Sequence, residues 1–183
     1  SVVALVSGCA MNTPPLERDE RYPAEWPNLV ALGPECLQLQ GTYANNGVVA
    51  GDGETGSQES ILLTSILPLT RPAVQATTVS LEVVTDRLDS DENSFATLHV
   101  VLDGQPGSRY EFGDCFCIDR TLLYSPSKRS YCLPPVFLEA SQVNVWLTRA
   151  ADGSLIAKIW DYGAGVVLVV PFFYQDYVWA RFR

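Results

Sequence analysis

Two alternating runs meet at an aspartate–glycine pair near the end of the chain, and they restrict its fold more than any other feature. In "QVNVWLTRAADGSLIAKIW" (142–160), Val143, Val145 and Leu147 fall on one side of the first run. Successive side chains of a strand point to opposite faces, so a period of two is the mark of a strand with one face buried. Asp152-Gly153 separates the runs, and Asp-Gly suits a tight β-hairpin turn because both residues reach positive φ at low cost. Trp146 stands opposite Val143, Val145 and Leu147, so both faces of this strand are partly apolar. That pattern fits a barrel packed inside and covered outside, or an apolar patch for a partner. The core is the favoured reading, because aromatic side chains dominate β cores.

The same period recurs on either side. "GAGVVLVVPFF" (163–173) is nearly all apolar and predicts a strand covered on both faces. "DYVWARF" (176–182) sets Val178, Ala180 and Phe182 against Tyr177, Trp179 and Arg181. Upstream, "ATTVSLEVVTD" (76–86) and "SFATLHVVLDG" (94–104) alternate across the acidic stretch "DRLDSDENS", which predicts a second hairpin with a wet tip. "SRYEFGD" (108–114) reads as a short strand. Leu37, Leu39 and Gly41 share one side of a further strand, which the turn residues Asn45 to Gly47 end. "SQESILLTSILPL" (57–69) is the one plausible helix, capped by Ser57 or Ser60 and stopped by Pro68, with an apolar strand as its competitor. The expected fold is all-β: a small antiparallel barrel or sandwich of roughly seven to nine strands with one short helix.

Composition removes several functions. The net charge is -9 with a charged fraction of 18%, so phosphate backbones are repelled and nucleic acid is not an expected partner. The overall charge gives no reason to adhere to anionic lipid either. No stretch approaches the roughly 20 apolar residues that a membrane-crossing helix needs. A hydrophobic fraction of 47% is enough to build a core.

Catalytic sets are missing as well. "GDGETGSQES" (51–60) lacks the lysine of a phosphate-binding loop and the acidic spacing of a calcium loop, so it reads as a solvated loop. His99 is the single histidine, inside an expected strand, where a half-buried or surface role outweighs that of a catalytic base. Glu111 with Asp114, or Asp86 with Asp89, could be imagined as a glycosidase pair, but their spacing is equally that of solvated turns. No cofactor, metal site or enzymatic activity is expected.

The opening run "SVVALVSG" is uncharged, mostly apolar and followed by Cys9-Ala10. Its length is that of the end of a signal-peptide apolar region, with the start of the precursor expected to lie ahead of Ser1. "LVSGC" resembles the lipobox of bacterial lipoproteins. That resemblance implies a diacylglycerol on the Cys9 thiol, cleavage just before it, and acylation of the new amine. One acyl chain binds a membrane marginally and two or more bind it stably, which agrees with such an anchor. The alternative is an apolar N-terminal strand with a buried cysteine. Ala10 stands where aspartate would favour inner-membrane retention, so the resemblance implies the outer membrane, facing the periplasm. "GTY-x-N-x-G" (41–47) is similar to a first-strand segment of uncharacterised proteobacterial lipoproteins, and Gly41 to Tyr43 is similar to the lipocalin G-x-W triplet with Tyr43 in place of tryptophan.

Under this reading residues 1–8 are residual signal peptide, 9–31 a lipidated tether rich in proline and charge, and 32–183 the globular domain. Trp26 and Leu29 are expected against the domain surface, since a free linker has little use for an exposed tryptophan. Export implies an oxidising compartment, and Cys36, Cys115, Cys117 and Cys132 are then expected in disulfides. Direct bonding of Cys115 to Cys117 would be strained, so at least one bond from that pair to Cys36 or Cys132 is expected. The function expected is a non-enzymatic, membrane-anchored envelope lipoprotein that binds or supports another envelope component. A lipocalin-like carrier of a small apolar ligand and a hydrolase inhibitor using "GDGETGSQES" or "YSPSKRSY" as a protruding loop are the alternatives.

Overall fold

The computed structural model describes residues 16, 18–33, 36–50, 59–67, 69, 76–88, 94–103, 109–118, 121–133, 137–167 and 170–183. Cys9 and residues 51–58 of the glycine-rich stretch lie outside them. The strands are β1 (Leu29–Val30), β2 (Gly41–Ala44), β3 (Asn46–Val49), β4 (Ser60–Leu62), β5 (Thr78–Leu88), β6 (Ser94–Leu102), β7 (Arg109–Ile118), β8 (Thr121–Leu133), β9 (Phe137–Ala150), β10 (Leu155–Val167) and β11 (Val170–Phe182). One short helix, α1 (Leu63–Ile66), follows β4. They form a single antiparallel sheet in the order β2-β5-β6-β7-β8-β9-β10-β11-β3-β4, with β1 added beside β9. The sheet curls into a half-barrel.

The fold is all-β, with 11 strands among the described residues rather than seven to nine. No run marked β8, part of which read as a loop, and β1, β3 and β4 have two to four residues, too few to show a period of two. The expected strand from Leu37 to Thr42 begins only at Gly41, and Leu37–Leu39 is a 3-10 turn. Asn45 and Gly47 do not form a positive-φ turn; Cys36 and Gly153 are the positive-φ residues among those described.

Asn45 is instead a buried corner between β2 and β3. Its Nδ2 donates to the Ala76 carbonyl at 2.9 Å and its Oδ1 accepts from the Thr64 amide at 3.0 Å. Each polar atom of a buried amide needs such a partner, and these pin the start of α1. The bend has a topological result. β2 pairs with β5 while β3 pairs with β11, so one continuous segment bridges the two margins of the curled sheet at this end. Gly47 permits the approach: a Cβ there would run into the Phe182 ring and come within 2.8 Å of the Arg181 carbonyl.

Alternation fills the inside of the curl. Val79, Leu81 and Val83 on β5, Ala96, Leu98 and Val100 on β6, Val145 and Leu147 on β9, and Ala180 and Phe182 on β11 are buried together. Leu39, Tyr43 and Leu63 pack into the same core, with Tyr43 donating to the Leu39 carbonyl at 2.9 Å. Cys36 and Cys117 are joined across it, with Cα atoms 6.0 Å apart and a sequence separation of 81. Cys115, expected among the bridged residues, is a buried thiol whose Sγ donates to the Phe112 carbonyl at 3.5 Å. Cys115 and Cys117 both point inward as residues two apart, and the 3-10 turn presents Cys36 to the second of them. Cys132 stands on β8 opposite Leu138.

Two further expectations are corrected. "GAGVVLVVPFF" is not one covered strand: Val167 pairs with Val170, so the chain reverses within it, and Phe173 is 82% exposed. "YSPSKRSY" is not a protruding loop but part of β8.

Candidate functional site: an N-terminal clamp and a projecting arm

The outer face of β9, β10 and β11 carries a second apolar cluster. Ala150, Ile156 and Trp179 lie there, covered by Tyr22 and Trp26 from the N-terminal segment. Both aromatics are buried, so the compact part begins well before Leu32. Composition hid this, because the segment docks through a few aromatic and charged side chains rather than a periodic apolar face. Tyr22 meets Trp26 and Trp179 edge-on at 5.7 and 5.0 Å between ring centroids, a favoured arrangement for aromatic pairs. β1 then continues the contact as a two-residue strand, Leu29 opposite Ala150.

A charged clasp closes over the cluster. Lys158 Nζ lies 2.7 Å from Asp19 Oδ2, and Trp179 Nε1 donates to Asp19 Oδ1 at 3.0 Å. The same ammonium sits 4.3 Å from the centre of the Tyr177 ring and 5.0 Å from that of Trp179. Burial pushes the Asp19 carboxyl up, but the hydrogen bonds from Lys158 and Trp179 and the Lys158 charge outweigh it and hold the carboxyl below its ordinary range. Arg21 stacks on Tyr177 at 4.5 Å, and its Nη1 donates to Asp176 at 2.7 Å and to the Tyr177 carbonyl at 3.0 Å. The Arg21–Asp176 pair is exposed and contributes little stability. The semi-buried Asp19–Lys158–Trp179 set is the stronger part.

Beyond this clasp the last four strands project as an arm. Register places Leu133, Phe137, Val167 and Val170 in one row across β8, β9, β10 and β11, at its tip. The next row is Cys132, Leu138, Val166 and Pro171. Tyr174 lies across Gly163, where a Cβ would meet its hydroxyl at 2.7 Å, and donates to Glu139 at 2.9 Å. The concave side of the arm is thus polar at Glu139. On the convex side Phe173 faces outward.

The other residues singled out by sequence do not assemble. His99 is half-buried on β6, where its Nδ1 accepts from Arg109 Nε at 2.9 Å, and Arg109 also reaches Glu82 at 3.0 Å. Glu111 is exposed opposite His99 on β7. Among the described residues no three His, Cys, Asp or Glu side chains gather as metal ligands, and no helix is long and apolar enough to cross a membrane. Trp26 and Leu29 lie against the domain as expected; the Asp19–Lys158 clasp and the arm were not foreseen, and the aromatic residues of 172–179 were their visible trace. Comparison with protein-family models, curated proteins and solved structures finds no match to this chain.

Proposed function

We propose that the chain is a lipid-anchored protein of the bacterial cell envelope, without a reaction of its own, which binds or supports another envelope component. The lipobox-like "LVSGC" at Cys9 carries this reading. The clamp supports it. An anchor at Cys9 would stand ten residues ahead of Asp19, the first residue of the clasp, so pull on the lipid would pass into the outer face of the barrel rather than into its core. Ala10 directs the proposal to the outer membrane, with the domain facing the periplasm. The Cys36–Cys117 bridge suits such an oxidising place.

The test is to express the precursor with its own export signal as wild type and as Cys9→Ser, and to wash the membranes with carbonate, which strips proteins held only by surface contact. Wild type is expected in the pellet with an acylated N-terminal peptide, and the variant in the soluble fraction. A variant that pellets as fully as wild type refutes the anchor.

A further inference from the structure

We infer that the convex face at the tip of the β8–β11 arm rests on the lipid bilayer in which the protein is anchored. This rests on the Cys9 reading for the anchor, and on the arm alone for the contact. On the convex side Phe173 is 82% exposed and Pro171 is exposed, with Ala164 and Val166 part-buried beside them; Val170 and Val167, also exposed, stand in the end row on the other side. Clusters of this kind at the end of a projecting sheet mark a contact surface.

Charge separates this end from the rest of an acidic chain. Six rows run from Leu133–Phe137–Val167–Val170 back to Lys128–Gln142–Tyr162–Gln175. Their charged residues are Lys128, Arg129 and Glu139, a net of two positive minus one negative. The following row contains Asp161 opposite Asp176, where acidic character resumes. The acidic excess of the chain therefore belongs to the body, and the arm end meets no repulsion from lipid phosphates. Of the aromatic residues in these rows Tyr162 and Phe173 stand on the convex side, and such rings favour the boundary between headgroups and acyl chains.

Geometry selects the face. Phe173 and Trp179 are six residues apart on β11 and share its outer side, which is the side the N-terminal segment crosses. Ala164, Val166 and Pro171 take the same side by alternation, while Val167 and Val170 fall on the other, where Glu139 is held with Tyr174. The anchor and the apolar face thus leave the molecule together. From Trp179 to Val170 the strand covers about 30 Å. The ten residues from Asp19 back to Cys9 reach at most about 35 Å, enough to bring the anchor level with the tip. Among the described residues β11 pairs with β3 only at Ala180 and Arg181, so its outer edge near the tip needs water for its backbone groups. Penetration is therefore shallow, about 5–10 Å, as for interfacial elements generally.

The test uses the F173W chain in vesicles of phosphatidylethanolamine and phosphatidylglycerol, with part of the lipid brominated on its acyl chains. The exposure of Phe173 makes the substitution harmless to the fold, and the four native tryptophans set the baseline. Mass analysis of the N-terminal peptide states whether Cys9 is acylated. In the acylated protein the introduced tryptophan should shift to the blue and be quenched about twofold or more beyond wild type. Acylation without added quenching overturns the contact and leaves the anchor standing. If Cys9 is unmodified the anchor reading falls, and the contact is judged on the unmodified protein with the same vesicles, where absence of quenching overturns it too. A blue shift that grows with protein concentration in the absence of lipid shows a second copy on this face and also overturns it.

Discussion

Trp26→Ala should free the N-terminal segment while leaving the barrel folded. Trp26 is 6% exposed, packs edge-on against Tyr22, and offers its carbonyl to Arg18 at 3.2 Å. Truncating a buried aromatic to alanine costs about 3–5 kcal/mol. The cluster lies at the molecular surface and can partly relax, so the lower end, about 3 kcal/mol, is the expected loss. That loss falls on local opening of residues 18–30, since the barrel core on the other side of β9–β11 keeps its own contacts. When opening is fast relative to cleavage, proteolysis follows the open population, so about 3 kcal/mol becomes roughly a 100-fold rise in cleavage rate. Trypsin cleavage after Arg18 and Arg21, followed by intact mass, reads this directly. The melting temperature of the barrel should change by no more than a few degrees. Acceleration below tenfold, or global unfolding in step with cleavage, would refute the separation of clamp from core.

Reduction of Cys36–Cys117, or Cys36→Ser, should lower stability by up to about 4.5 kcal/mol on the chain-entropy model for a closed loop of this length, read as a fall in urea midpoint with native secondary structure kept at low denaturant. Acid should loosen the clamp and the β9–β10 turn. Asp152 is held at about 2, first by the Ser154 hydroxyl and, against some burial, by the Ser154 amide and Arg181; Asp19 is also depressed. A carboxyl depressed in the folded state stabilises it above the unfolded value near 3.8 and loses that contribution as pH falls toward about 2. Asp152 is 40% exposed, so screening leaves about 1 kcal/mol from it. A melting temperature that stays level between pH 5 and pH 2 would contradict this assignment.

The hairpins were legible where alternation met a turn signal. β9 and β10 pair around Gly153, whose φ of 90° is what Asp-Gly promised. β5 and β6 pair with Val79, Leu81, Ala96 and Leu98 inward as their spacing required. "VVLVVPFF" failed because an all-apolar run carries no period, and no glycine or asparagine marks the reversal between Val167 and Val170. The clamp failed for a different reason. Trp26 betrayed a contact but not its place, and Asp19 and Tyr22 look like linker residues until Lys158 and Trp179, more than 130 positions away, are placed opposite them. The candidate site was thus visible as an excess of aromatics and not as a location.

The corner at Asn45 ties an early segment of the domain to a late one. Ala44 donates its amide to the carbonyl of Arg183, and β3 completes its pairing on Ala180 and Arg181. Residues 180–183 must therefore be made before the two margins of the curled sheet can be bridged. Until then the early segment is left beside β5 with one flank bare, a long-range contact that is slow to form. A nascent chain that stops short of Ala180 lacks the β11 partners of β3, and β2 then has β5 alone to pair with.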